Sequence, residues 1–423
     1  MASSIPSIDA QVELLLRGTY FADEAAGGPA QGERSLREQM REELATKLKK
    51  GRPLRVYLGV DPTATSLHIG HLVPALKLRQ FQLLGHQAVF LIGDYTGLIG
   101  DPSGQAKERP SRTSEELAQM SRGYTEQVFR ILDGERTEVR RNSEWLGRLT
   151  FADVIRLAAI FPLKQIIARR EFQERMEAGR SLRFHEALYP LMQGYDAHAL
   201  EADVQVGGYD QHFNLLAGRI IQQHHGEEPH VMLTLPLLPG TDGRKMSKSY
   251  DNAVSVADSP RDMYGKVMRI SDEQIPPYLE VACMLMDEGE VSSLLADFRG
   301  GRKNPIEIKE SIAHHVVGLY HGQEVAEAER AWFREHIRGR QLPDDVPDQA
   351  VPEALFAQDP TWAGLLTGLG LLGSKGEVKR LIQGGGLKVD GEKVTDPAGS
   401  WDGADGRLLQ YGKRRFARLR RER

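Results

Sequence analysis

The chain reads as an α/β protein: a Rossmann-like parallel sheet flanked by helices, then an α-helical domain, then a small basic α+β domain. Three observations predict this. Apolar runs of strand length alternate with helical periodicity from Leu54 to Leu235. Strand signal vanishes from Pro260 to Ile337, and the last 65 residues are compact, glycine-rich and basic. Alternation of the first kind favours a mostly parallel sheet covered on both faces.

The elements follow in order. Residues 7–17 form a short helix, and a Gly/Ala/Pro-rich patch precedes a charged helix from Ser35 to Lys50. The run Leu54-Arg55-Val56-Tyr57-Leu58-Gly59-Val60 is a buried strand, Asp61-Pro62-Thr63 its turn, and Leu67 to Leu84 a helix stopped by Gly85. Ala88 to Ile92 is a second strand, followed by a glycine-rich loop to Gly104. Thr113-Ser114-Glu115-Glu116 has the pattern of a capping box and opens a helix to Leu132. Helical periodicity dominates from Thr150 to Ala202; Val204 to Val206 is a strand, Asp210 to His225 a helix and Val231 to Leu235 a strand. Gln341 to Pro352, with three prolines and three aspartates, reads as a linker. The implied organisation is an N-terminal helical segment over 1–53, a nucleotide-binding domain over 54–252 with a helical insertion at about 113–200, a helical domain over 253–340, a linker over 341–358 and a basic domain over 359–423.

The formal charge of −4 is unevenly spread. Residues 359–423 carry 13 Lys/Arg against 8 Asp/Glu, which leaves 42 against 51 for the rest. A basic module on an acidic body points to one region that meets a polyanion. The single cysteine, Cys283, excludes an intrachain disulfide and a multi-cysteine metal site. No apolar run reaches membrane-spanning length, and the N-terminal stretch, interrupted by Asp9 and Glu13, lacks a basic leader. A cytoplasmic protein is expected.

Two segments carry chemistry. His68-Ile69-Gly70-His71 sits after a strand at the start of a helix, where free N–H groups and the macrodipole attract phosphate. Its two imidazoles can donate hydrogen bonds to phosphate oxygens, and Gly70 leaves room for a flat ring such as adenine. Lys245-Met246-Ser247-Lys248-Ser249 follows a loop with two glycines, and mobile lysines there suit a reaction whose negative charge grows as a phosphorus–oxygen bond breaks. Taken singly, the first would pass for an ordinary helix start and the second for a solvated basic loop. A given string of four letters occurs by chance in roughly one chain of this length in several hundred, so the ordered pair, one domain apart, is not accidental. Between them, Tyr189, Gln193 and Asp196 share one helical face, where they line a pocket, pair with one another or face solvent.

This pair resembles the signature motifs of class I aminoacyl-tRNA synthetases. Tyr57, the segment Asp94 to Gly104, the segment Tyr189 to Asp196 and Val204 to Asn214 are similar, in order and spacing, to the bacterial tyrosyl-tRNA synthetase family. The resemblance covers most of residues 55–250. It implies activation of L-tyrosine by ATP to tyrosyl-adenylate, then transfer to the terminal ribose of tRNA(Tyr). It also implies Tyr57 and Asp196 on the substrate phenol, Thr96, Asp101, Tyr189 and Gln193 around its ammonium, and Gln211 facing the carboxylate. Asp61 would sit beside the bound adenylate and Gly208 and Asp210 on its ribose; Gly70, Thr63, His68 and His71 would address ATP, and Lys245 and Lys248 the departing pyrophosphate. Mg2+ would come bound to the ATP phosphates, with no protein-held metal or organic cofactor.

Three positions depart from the family pattern. Tyr209 stands where a small hydroxyl residue is usual, His212 where an aromatic residue is frequent, and Gln105 where many relatives are basic, which leaves Lys107 or Arg109 for any charge there. Ser374 to Val394 resembles a small RNA-binding fold shared with a ribosomal protein; Lys375, Lys379, Arg380 and Lys388 would meet tRNA phosphates. Leu365, Leu366, Leu369 and Leu372 predict a folded core there, while the end from Lys413 to Arg423 is expected to be a solvated tail. His314 and His315 are expected as surface or packing residues, and the helices between 113 and 180 as a homodimer contact. No DNA or membrane partner is implied. A tryptophanyl enzyme, a small-molecule nucleotidyltransferase and an RNA-binding descendant of a synthetase remain as alternatives. Asp196 and Tyr57 suit a phenol better than an indole, which only donates.

Overall fold

Five apolar stretches pair side by side in parallel, in the order β3-β2-β1-β4-β5: β1 is Arg55–Val60, β2 Gln87–Ile92, β3 Thr137–Arg141, β4 Val204–Gly208 and β5 Val231–Leu235. The computed structural model describes residues 6–28, 34–62, 66–103, 114–338, 346–390, 392–412 and 415–422. It divides into two units, 1–330 and 331–423. β1 lies at the centre because it is apolar on both faces: Val56, Tyr57 and Leu58 are all buried. The chain runs outward from β1 through β2 to β3, then returns to add β4 and β5 on the other side. This makes a topological switch point between the carboxyl ends of β1 and β4, the place where open α/β sheets bind ligands.

β3 lies within the expected helical insertion at about 113–200, which is therefore not helical throughout. Its sequence, Thr-Glu-Val-Arg-Arg, is charged because it is an edge strand with one neighbour, and its charges are paired across the sheet margin, Arg55 and Arg140 both with Glu138. The expected helix from Leu67 is a short 3-10 turn, Ile69–Leu72, leading into an α-helix, Val73–Leu83. Ser114–Val128 is helical, although Thr113, the first residue of its expected cap, lies outside the described residues. The helix Phe184–Ala199 is tied at its start by Glu186, which accepts from the Arg183 N–H at 2.8 Å and pairs with buried Arg175 at 2.6 Å. Gly194 lets it pack on the helix His212–His224; a Cβ there would lie 2.8 Å from Ile221 Cδ1 and 3.0 Å from the Ala217 carbonyl carbon.

Helices account for most of the rest of the first unit, chiefly Pro260–Val267, Glu288–Arg299 and Pro305–His321. His314 pairs with Glu327 at 2.9 Å, while burial lowers the pKa of His315 to about 4. No helix among the described residues is long and apolar enough to cross a membrane.

In the second unit the sheet order is β6-β10-β9-β7-β8, from β6 (Asp348–Pro352), β7 (Leu387–Val389), β8 (Glu392–Lys393), β9 (Leu408–Tyr411) and β10 (Phe416–Glu422). Two expectations are overturned here. Residues 348–352 are not linker but a strand parallel to β10, so the small domain begins before residue 359. Residues 416–422 are not a solvated tail: Ala417 and Leu419 are buried, and Arg420 and Arg421 pair with Asp348 and Glu353. Alternating apolar and basic residues gave this strand one buried and one wet face, and the density of charge masked the pattern. The expected turn at Asp390 joins β7 to β8; Gly391 lies outside the described residues. The core contains Leu365, Leu366 and Leu372, with Leu369 packed against it.

Candidate active site

Asp61 follows β1 directly, at the switch point, and two hydroxyls hold it: Thr96 Oγ1 donates to Oδ1 at 2.7 Å and Tyr189 Oη to Oδ2 at 2.8 Å. Only glycine fits at position 93, because a Cβ would lie 2.1 Å from Asp61 Oδ1 and 2.4 Å from Thr96 Oγ1. Beside them is a cavity of about 240 Å³ lined by Tyr57, Asp61, Thr96, Tyr189, Gln193 and Asp196 at one end and by Gly70, His71, Gly208, Asp210 and Gln211 towards the other, with Asp101 also in its wall.

At the inner end Asp196, 3 % exposed, accepts from Trp145 Nε1 at 2.8 Å and from Asn142 Nδ2 at 3.3 Å. Burial raises its carboxyl well above the usual range, and those two donors pull it back. Tyr57 is fully buried, and its hydroxyl has no partner among the described residues. Burial, then the neighbouring Asp196, push that phenol up, so it stays a donor. A buried unpaired hydroxyl in a cavity wall is costly in itself and marks where a ligand group should sit.

In the wall, Asp101 accepts from the Ser103 N–H at 2.9 Å and from Gln211 Nε2 at 2.5 Å; Asn214 Nδ2 holds Gln211 Oε1 at 2.9 Å. Asp210 is raised by burial, then by Asp101.

The two signature segments meet. The Ile69 N–H donates to the Val254 carbonyl at 3.0 Å, His68 bridges Ser255, and Met246 Sδ lies 3.5 Å from where a Gly70 Cβ would be. His68 and His71 stack, centroids 3.5 Å apart. Burial, with His71 and Lys248 beside it, drops His68 to about 3; burial, then Lys248 and Lys245, drop His71 to about 4. Neutral imidazoles still offer one N–H each to phosphate. Lys245 and Lys248 are exposed, with no carboxylate partner among the described residues. Asn252 staples their loop, accepting from the Ser247 N–H at 2.8 Å and donating to Asp242 at 2.7 Å. Because both folded-state values lie below the ordinary imidazole value of 6.5, each histidine should gain its proton only near pH 3 to 4, while the unfolded chain gains it near 6.5. Stability these neutral rings contribute is present above 6.5 and lost as pH falls below it. Imidazole NMR signals of both should stay flat from pH 8 to 5; titration near 6.5 would contradict the burial.

Most expected residues therefore line one cavity or adjoin it. Thr63, Gln105, Lys107 and Arg109 lie outside the described residues. Tyr209 stands next to the cavity wall with its ring edge-on to Tyr20 at 5.1 Å. Lys379 and Arg380 are exposed on the helix Lys375–Gln383 of the second unit, Lys388 is half-buried on β7, and Lys375 pairs with Asp359 at 2.6 Å. Asn142 and Trp145 were missed. Their signal was position: Asn142 follows the carboxyl end of a parallel strand, and that strand was itself hidden by charge.

The family model for class I tRNA synthetases (W and Y) matches residues 49–337, and the S4 domain model matches 365–398. The chain is 45% identical over 390 residues to a tyrosine–tRNA ligase from Moorella thermoacetica, covering 92% of each. It is 44% identical over 420 residues to one from Oleidesulfovibrio alaskensis, covering 97% of this chain and 99% of that one. The solved tyrosyl-tRNA synthetase of Archaeoglobus fulgidus, in complex with L-tyrosine, superposes with a TM-score of 0.58 at 23% identity, covering 77% of this chain and all of that one, a likeness of fold.

Proposed function

The chain belongs to the class I tRNA synthetases that serve tryptophan and tyrosine, and we infer from the cavity how its residues divide the work. It is a tyrosine–tRNA ligase: it activates L-tyrosine with ATP and charges tRNA(Tyr). The observation that carries the choice of amino acid at the cavity is the unpartnered Tyr57 hydroxyl beside Asp196. A phenol satisfies both, donating to the Asp196 carboxyl and accepting from Tyr57. An indole N–H would satisfy Asp196 alone and leave Tyr57 unpaired.

In this reading Thr96, Asp101, Tyr189 and Gln193 receive the ammonium, and Gln211 faces the carboxylate. A carboxylate oxygen attacks the α-phosphorus, and pyrophosphate leaves towards Lys245 and Lys248 while His68 and His71 donate N–H bonds to phosphate. Asp210 and Gly208 hold the ribose, with Asp61 beside the adenylate and Gly70 giving the ring room. Mg2+ travels on the ATP phosphates. A hydroxyl of the terminal tRNA ribose then attacks the tyrosyl carbonyl and displaces AMP. Charging of tRNA(Tyr) transcripts with labelled tyrosine tests the whole reaction; absence of charging by active-site-titrated protein would refute it.

Lys375, Lys379, Arg380 and Lys388 act on the tRNA backbone. Removing residues 346–423, a cut placed before β6, should leave adenylate formation nearly intact and raise the tRNA KM strongly at about 150 mM salt, with partial relief at low salt. Normal charging by the truncated protein at that salt would dismiss the second unit as a tRNA-binding element. The same reading makes the protein a cytoplasmic homodimer joined through helices between 113 and 180, where Phe151, Ile155 and Leu163 are 80%, 56% and 58% exposed. Sedimentation equilibrium should give a dimer at micromolar concentration, and a stable monomer there would remove this contact.

A further inference from the structure

We propose that Arg169 is a positioning residue for tyrosine binding, acting through Ser103 to aim Asp101 at the substrate ammonium; this rests on the role given to Asp101 above. Arg169 is 7 % exposed, at the start of the helix Arg170–Glu177. Its guanidinium lies over the rings of Phe172 and Phe213, 5.0 and 5.1 Å from their centroids. Nη2 donates to Ser103 Oγ at 2.6 Å, and Nη1 is buried with no partner among the described residues. Ser103 Oγ also accepts from Asn214 Nδ2 at 3.3 Å, and the Ser103 N–H donates to Asp101 Oδ1. Gln211 closes the ring by joining Asp101 to Asn214.

Arg169 thus has no carboxylate within ion-pair distance among the described residues, although a buried cation that only held the fold together would be expected to have one. Burial disfavours its cation, and the charge of Asp101, then that of Glu171, acts in the opposite direction. Arg169 does not line the cavity, so it reaches the ligand only through others. Its hydrogen bond fixes the turn carrying Asp101, and its charge balances that of Asp101 from the side away from the ligand. Two aromatic faces prevent the guanidinium from turning elsewhere.

The test measures binding of three ligands to the full-length protein by calorimetry: L-tyrosine, tyramine, which lacks the carboxylate, and 3-(4-hydroxyphenyl)propanoate, which lacks the ammonium. In Arg169→Met, tyrosine and tyramine should bind roughly tenfold more weakly, and the propanoate should stay within about twofold of wild type. Arg169→Lys should recover part of the loss. Ser103→Ala, which keeps the guanidinium but takes away its acceptor, should reproduce the pattern, and it keeps the test intact if Arg169→Met does not fold. An equal loss for all three ligands, or none for any, would overturn the positioning role. Wild-type protein that binds the propanoate as tightly as tyrosine would instead overturn the role of Asp101 itself.

Discussion

Lys248→Ala and His68→Ala each depress tyrosine activation by roughly 10²–10⁴-fold while tyrosine affinity barely changes. The expectation comes from where these groups lie. Neither lines the cavity beside Tyr57 and Asp196, yet Lys248 is close enough to His68 and His71 to help hold both neutral. The charge that grows in the transition state is on phosphate, so groups beside phosphate act on kcat and not on ground-state binding of the amino acid. His68→Ala also removes the ring stacked on His71, so its loss should be at least that of one donor. Equilibrium dialysis separates the effects: tyrosine affinity falling in step with rate would place these residues at the amino acid instead.

Phenylalanine should be activated more slowly than tyrosine by several powers of ten, a discrimination for which this enzyme family is itself a standard example. The local cause is polar satisfaction. With phenylalanine bound, Tyr57 would keep an unpaired buried hydroxyl and Asp196 would lose a donor, although Trp145 and Asn142 would still hold it. Tyr57→Phe should therefore narrow the gap by about tenfold, since one unpaired group disappears from the phenylalanine complex and one bond from the tyrosine complex. Asp196→Ala should cost more, because it also strands the Trp145 N–H and takes one of two acceptors from the Asn142 amide, which keeps Thr96 Oγ1. A Tyr57→Phe enzyme with unchanged selectivity would show that this hydroxyl does not read the phenol.

The sequence was most legible where one residue type has one use. Buried apolar strands at β1, β2, β4 and β5 were evident, as were the two signature segments and the polar face Tyr189, Gln193 and Asp196. What escaped was structure whose local composition argues against it. β3 is charged because it is an edge, β10 is basic on its wet face, and β6 sits in a proline- and aspartate-rich stretch that is extended only because β10 pairs with it. Asn142, Trp145 and Ser103 escaped because their value lies in contacts with Asp196 and Asp101, residues 54, 51 and 2 positions away along the chain. No periodicity reports such pairs. Arg169 is the extreme case, a charged residue in a helical segment that looks solvated until its burial between two aromatic rings is seen.

Amino-acid-dependent exchange of labelled pyrophosphate into ATP, run with each standard amino acid in turn, tests the central claim most directly, because it needs both signature segments and the inner end of the cavity and does not need tRNA. Tyrosine alone should support rapid exchange. Exchange driven preferentially by tryptophan would contradict the pairing of Tyr57 and Asp196 with a phenol.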